Sequence, residues 1–251
     1  MMRVAMVVST VGYHWEEVFG GYWAFKEAGC EVDVYTVDGR PPKADPASLQ
    51  PGPGAVLGLG LPPSIAPDTD RGKALTLALE RAQSLERADA ERVDALYLPG
   101  GHGCLFDVNR NERLHGFISR LHGRGALLSA VCHATSTFAF VRDGEGRSIV
   151  QGHALTGFPH PMDKGLIALG LVRAEFLPLP LVNDEELQRA GAVLGPVDVA
   201  LAMANPLHVR VSLPFVTGVG PKAAARVARA VVKAHGARRG SARPAAAAAH
   251  A

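Results

Sequence analysis

Short, almost uninterrupted apolar runs alternate along the first half of this chain with stretches whose apolar residues recur at helical spacing. The runs are Arg3–Ser9, Glu31–Val37, Arg92–Pro99 and Gly125–Val131. Between them, Trp15–Ala28 places Val18, Phe19, Tyr22 and Phe25 at helical intervals and stops at Gly29, a C-cap signal. Asn109–His122 reads as a second helix, and Ala223–His235 as the helix that closes the fold. Strands this apolar leave no face for water, so they read as parallel strands covered by helices on both sides. The expected class is α/β: three layers around a mostly parallel central sheet. In such sheets the ligand crevice lies outside the carboxyl ends of the strands. Gly100-Gly101 and Cys132 both follow a strand-like run directly.

Cys132 separates the buried run Gly125–Val131 from a helix-like stretch, His133–Phe140. The order strand, single nucleophile, helix is that of a nucleophile elbow, in which the reactive side chain stands on a tight turn. Backbone N–H groups and the helix dipole then favour thiolate over thiol, so a lowered cysteine pKa is expected. A buried structural cysteine is the alternative reading.

Composition narrows the function classes. Hydrophobic residues make up 47% and charged residues 20% of 251 residues, and the net charge is +2. No dense Lys/Arg cluster occurs in the folded part, which argues against nucleic acid as a partner. The three cysteines, Cys30, Cys104 and Cys132, form no CxxC, so neither a disulfide framework nor a zinc ribbon is indicated. The N-terminus reads as a strand and no membrane span is visible, so a cytoplasmic protein with no membrane partner is expected.

Residues 40–90 read as an insertion or cap within a single domain spanning 1–236. Eight prolines fall between residues 40 and 72, and a helix is expected within Gly72–Ala90. Residues 237–251, rich in Ala and Arg, read as a disordered tail that carries Arg238, Arg239 and Arg243.

Four short motifs occur in order: Gly100-Gly101-His102-Gly103, Ala130-Val131-Cys132-His133, Thr156-Gly157-Phe158, and Thr217-Gly218 before Pro221. With Trp15-Glu16-Glu17 near the first strand, they make the chain resemble the ThiJ/PfpI superfamily. The similarity runs from about residue 3 to 235, and the branch of heat-shock chaperones and glutathione-independent glyoxalase III enzymes fits best. The resemblance implies a flavodoxin-like three-layer sandwich, no cofactor and a homodimer.

It also implies roles. Glu17 matches the acid beside the nucleophilic sulfur, with Glu16 as rival; partial burial beside a thiolate should raise its pKa. His133 matches the imidazole that assists the thiolate. Asp163 is the third member, with His160 as competitor; a carboxylate there fixes the imidazole tautomer. Gly101 and His133 would supply backbone N–H donors to an oxyanion hole, with Gly100 beside them. His102 and Cys104 read as lining residues. No HxxH, HxH or carboxylate–His spacing gathers around them, so the sequence indicates no metal site.

The chain departs from the family pattern in places. Ala134 stands where Gly is usual, which could narrow the pocket, and Thr135 stands in place of a common Pro. The late motif reads Thr217-Gly218-Val219-Gly220-Pro221 and lacks the usual Asn.

The implied activity is conversion of a small α-oxoaldehyde, such as methylglyoxal, to a hydroxy acid, with Glu17 moving a proton between the two substrate carbons. A stress chaperone, a protein deglycase, and a cysteine peptidase or amidase are the other readings. A glutamine amidotransferase is disfavoured. The elbow Ala130-Val131-Cys132-His133-Ala134 is not Gly-x-Cys-x-Gly, and no His-x-Glu pair lies toward the C-terminus.

Overall fold

The structure is a computed structural model that describes residues 1–50 and 60–242. The elements run β1 (Arg3–Val7), α1 (Trp15–Glu27), β2 (Glu31–Thr36), α2 (Asp70–Glu80), β3 (Gln83–Ser84), β4 (Ala95–Leu98), α3 (Cys104–Asp107), α4 (Glu112–Gly123) and β5 (Leu127–Val131). There follow α5 (His160–Ala168), α6 (Asn183–Arg189), α7 (Pro196–Ala204), β6 (Val209–Ser212), β7 (Phe215–Gly218) and α8 (Ala224–Ala242). Among the described residues the sheet has seven strands in the order β3-β2-β1-β4-β5-β7-β6. All pairings are parallel except the antiparallel β6–β7 edge. The expected flavodoxin-like sandwich is therefore present.

Strand alternation builds the three layers. In β4, Ala95 and Tyr97 face one core, while Leu96 and Leu98 face the other. The first core receives Val18 and Phe25 of α1 and Val227 and Val231 of α8. The second receives Leu114, Phe117, Ile118 and Leu121 of α4. Both faces of β1, β4 and β5 are thus dry, which is why their sequences show no polar alternation. Each fully buried aromatic, such as Tyr97 or Phe117, contributes about 1.5–3 kcal/mol of transfer free energy.

Local signals set the helix ends. Gly29, at φ 74°, stops α1 where an L-residue would be strained. The Asn111 side chain caps α4 by accepting from Leu114 N at 3.0 Å. Asn109, where the sequence suggested a start, is instead buried and used elsewhere.

The insertion after β2 is ordered where described. Thr69 caps α2, which begins two residues earlier than expected and ends at Glu80, and a short strand follows it. Pro51 and Pro53 of the cap lie outside the described residues. The C-terminal helix runs to Ala242 instead of ending at His235, and Arg238 donates to Gly125 O at 2.7 Å. The first residues of the expected disordered tail therefore belong to the fold; the remainder, including Arg243, lies outside the described residues. No described helix is long and apolar enough to cross a membrane.

Candidate active site

The site forms where β1, β4 and β5 end. Cys132, at φ 58°, is the one non-glycine residue in the left-handed region among the described residues. Such a conformation strains an ordinary side chain and persists only where its surroundings impose it. It turns the chain sharply out of β5, as an elbow requires. The neighbouring turn needs glycine for two reasons. A Cβ on Gly100 would lie 2.8 Å from Val131 O and 3.0 Å from Cys132 Cβ. Gly101 sits at φ 111°, and a Cβ there would come within 2.6 Å of Gly12 O and His14 N.

The helix after the elbow is a 3-10 helix, Cys132–Phe140, rather than an α-helix. Buried amide side chains take up its backbone groups. Asn109 Nδ2 donates to His133 O at 2.8 Å, and Ser136 N donates to Asn183 Oδ1 at 3.1 Å. Asn183 Nδ2 also reaches Phe158 O at 3.3 Å, tying the Thr156-Gly157-Phe158 loop to the elbow. Neither asparagine stood out in the sequence, because an amide that satisfies backbone has no motif.

Glu17 lies beneath the sulfur. Its Oε2 accepts from Gly100 N at 2.6 Å, its carboxyl hydrogen-bonds the Cys132 thiol, and Tyr97 Oη donates to its backbone carbonyl at 2.9 Å. Burial pushes Glu17 up to about 7, although the bonds from Gly100 and Cys132 favour the carboxylate. Glu16, its rival, is occupied elsewhere, in an ion pair with Lys222 at 2.8 Å.

The expected lowering of the Cys132 pKa is not found. Burial pushes the thiol up, the Glu17 and Cys104 groups add to the rise, and the single bond from His133 N–H does not offset them. Thiol and carboxyl thus lie side by side in a dry environment that raises the pKa of both.

His133 and Asp163 complete a triad. Cys132 Sγ lies 3.3 Å from His133 Nδ1, and His133 Nε2 lies 3.0 Å from both oxygens of Asp163. Burial alone would lower the His133 pKa, but the Asp163 carboxylate outweighs it and the net direction is up. Asp163 is likewise opposed by burial, yet His133 and His102 hold it well below the usual carboxylate range. His160, the competitor, sits at the start of α5, where its backbone N–H donates to Asp184 at 3.2 Å, and it does not line the cavity.

A cavity of about 250 Å³ opens over the sulfur. Gly101, His102, Cys132 and His133 line one side, and Phe158, Met162 and Leu166 another. Asp45, Ser48 and Gln50 enter from the insertion. That segment is pinned by Asp45 N donating to Tyr13 O at 2.8 Å and Trp15 N donating to Ser48 Oγ at 3.1 Å. The insertion therefore forms part of the cavity wall. Two expectations fail here. Cys104 faces the second core rather than the cavity, and so does Ala134, so its methyl group does not narrow the pocket. His102, His133 and Asp163 bring three metal-type donor atoms within 4.8 Å of one another, a grouping that sequence spacing did not reveal.

A model of the DJ-1/PfpI family matches residues 2–190. The chain belongs to the DJ-1/PfpI family. Within it, the chain is 28% identical over 229 residues to the glutathione-independent glyoxalase hsp3101 of Schizosaccharomyces pombe, covering 88% of this chain and 86% of that one. It is 26% identical over 163 residues to glyoxalase 3 of Candida albicans, covering 63% and 64% of the two chains. The crystal structure of glyoxalase III from Candida albicans matches the fold with a TM-score of 0.71 at 19% identity, covering 93% of this chain and 97% of that one. The site and these relatives together make the chain an enzyme of the DJ-1/PfpI family.

Proposed function

We propose that the chain is a glutathione-independent glyoxalase that converts methylglyoxal or a related 2-oxoaldehyde, plus water, to the 2-hydroxy acid, with Cys132 as nucleophile. The observation that carries this is the Cys132–His133–Asp163 triad with buried Glu17 on the sulfur, in a chain alignable over most of its length with a glyoxalase.

The thiol proton passes to Glu17 as sulfur bonds to the aldehyde carbon. The carbonyl electrons move to oxygen, which the backbone N–H groups of Gly101 and His133 would stabilise. Glu17 is fully buried and does not line the cavity, so it serves the sulfur and not the substrate carbons. Transfer between the carbons falls to His133, whose Nδ1 faces the sulfur and therefore the carbon attached to it. It removes the hydrogen from C1, the C–H electrons form the C1–C2 double bond, and the C2 carbonyl electrons move to its oxygen to give an enediolate. The same proton is then delivered to C2, leaving an alkoxide at the C2 oxygen that takes its proton from the water added in the next step. The carbonyl reformed at C1 is a thioester. Water adds to it, the C–S bond breaks, the acid leaves, and Glu17 returns the proton to sulfur. The rise of the His133 pKa and the acidity of Asp163 suit an imidazole that cycles through its cation.

The test is incubation of the purified protein with methylglyoxal in the absence of any added thiol. Lactate should accumulate mole for mole with substrate loss. Loss of substrate without hydroxy acid, or cleavage of amide substrates in its place, would favour the hydrolase reading.

A second reading, holdase activity, draws on one observation. In α7 only Ala202 is buried, while Val197, Leu201 and Met203 are exposed, and Leu169 and Leu171 after α5 are exposed as well. An apolar surface of this kind suits contact with another chain; dimer formation, which the resemblance implies, would draw on it too. A Val197→Glu/Leu201→Glu double variant should lose suppression of client aggregation and keep lactate formation. Cys132→Ser should do the reverse.

A further inference from the structure

His102 is not a member of the triad, yet its imidazole is built against it. Its Nε2 lies 3.4 Å from Asp163 Oδ1, and its ring centroid stands 4.6 Å from that of His133. Both rings are braced from behind. Phe176 stacks on His102 at 6.0 Å and Phe158 packs on His133 at 4.6 Å. Asp163 sits between the two Nε2 atoms, 3.0 Å from that of His133.

Two imidazole nitrogens and one carboxylate form a donor set that zinc-type ions accept. At a metal–nitrogen distance of about 2.0–2.1 Å, neighbouring ligands of a tetrahedral ion stand about 3.4 Å apart. The His102–Asp163 separation already has this value, and the His133–Asp163 pair needs to open by only a few tenths of an ångström. Asp45, also on the cavity wall, is engaged by Ala47 N at 3.0 Å and by Arg173 at 3.7 Å and is not counted among the donors. The sulfur takes no part. Cys132 Sγ faces Nδ1, on the opposite side of the His133 ring from Nε2.

We infer that His102, His133 and Asp163 form a binding site for a divalent transition-metal ion of the zinc class, with nitrogen and oxygen donors only and the remaining position open to the cavity. Binding does not depend on the proposed glyoxalase reaction. If that reading holds, the ion is an inhibitor, because it replaces the hydrogen bonds that hold the His133 imidazole in its working tautomer.

The test uses the untagged full chain, stripped with a chelator and titrated with Co²⁺, followed by visible absorption and by calorimetry, with Zn²⁺ as competitor. One Co²⁺ per chain should bind, with ligand-field bands and no sulfur-to-cobalt charge transfer. His102→Ala and Asp163→Asn should each weaken binding by more than about tenfold, and Cys132→Ser should leave it unchanged. His102→Phe gives a second, more conservative loss of the ligand, and circular dichroism checks the fold of each variant. Three results overturn the inference: no saturable Co²⁺ binding by the wild type, binding that ignores loss of His102, or a charge-transfer band that vanishes in Cys132→Ser.

Discussion

At the scale of single residues, the chemistry rests on which groups share protons. Asp163 orients His133 through two contacts of 3.0 Å, so Asp163→Asn should leave the cavity intact and misalign the imidazole tautomer. The expected result is a fall in kcat of about two to four orders of magnitude with little change in KM; a loss of less than threefold would remove Asp163 from the triad. Cys132 was legible in the sequence because the elbow is a local feature, a dry strand run that stops at a single nucleophile before a helix-like stretch. Glu17, His133 and Asp163 became legible only through family resemblance. The meeting of His102 with Asp163 was not legible, because 61 residues separate them and only the fold brings them together. The direction of the Cys132 pKa was misread for a related reason. The helix terminus that lowers it is a local feature, whereas the burial and the carboxylate that raise it are tertiary.

At the scale of elements, Gly21 decides how closely α1 approaches β4. A Cβ there would stand 2.3 Å from the Tyr97 ring, which is fully buried and packs edge-on against Phe25 at 5.7 Å. The same Tyr97 hydroxyl donates to the Glu17 carbonyl, so this contact also sets the height of Glu17 under the sulfur. Gly21→Ala should destabilise the protein by about 1–3 kcal/mol in urea unfolding, despite the gain in helix propensity; a stabilised variant would show that the helix can shift freely. β1, α1, β2, β4, α4 and β5 were readable because each has strong periodicity or a dry, continuous run. Beyond Phe140 only the closing helix α8 was readable. β6 is a half-exposed antiparallel edge, and α7 is apolar with a single buried residue, so neither presents a stripe or an alternation. The helix after Cys132 was readable as helical, but it is buried nearly all round, so no polar face marked its turns as 3-10 rather than α.

At the scale of the whole molecule, a buried acid makes stability depend on pH. Unfolded Glu17 ionises near 4.5, and in the fold its pKa is about 7. Between these values the unfolded chain has released a proton that the folded chain still holds. Folding stability from this group therefore falls as pH rises from 4.5 to 7, then levels off. Glu17→Gln keeps a neutral group of the same shape and lacks this loss. The difference in Tm between Glu17→Gln and wild type should grow in favour of the variant across that window; a gap that does not change with pH would show that Glu17 is not held protonated by burial.

The central claim is that the Cys132 sulfur carries the reaction. The most direct measurement is the rate of lactate formation from methylglyoxal, without added thiol, by wild type and by Cys132→Ser at matched concentration, with folding verified for both. The account predicts that the serine variant is slower by about a thousandfold or more, and that alkylation of Cys132 silences the wild type in proportion to its extent. Equal rates in the two proteins, or a fully alkylated enzyme that still forms lactate, would contradict it.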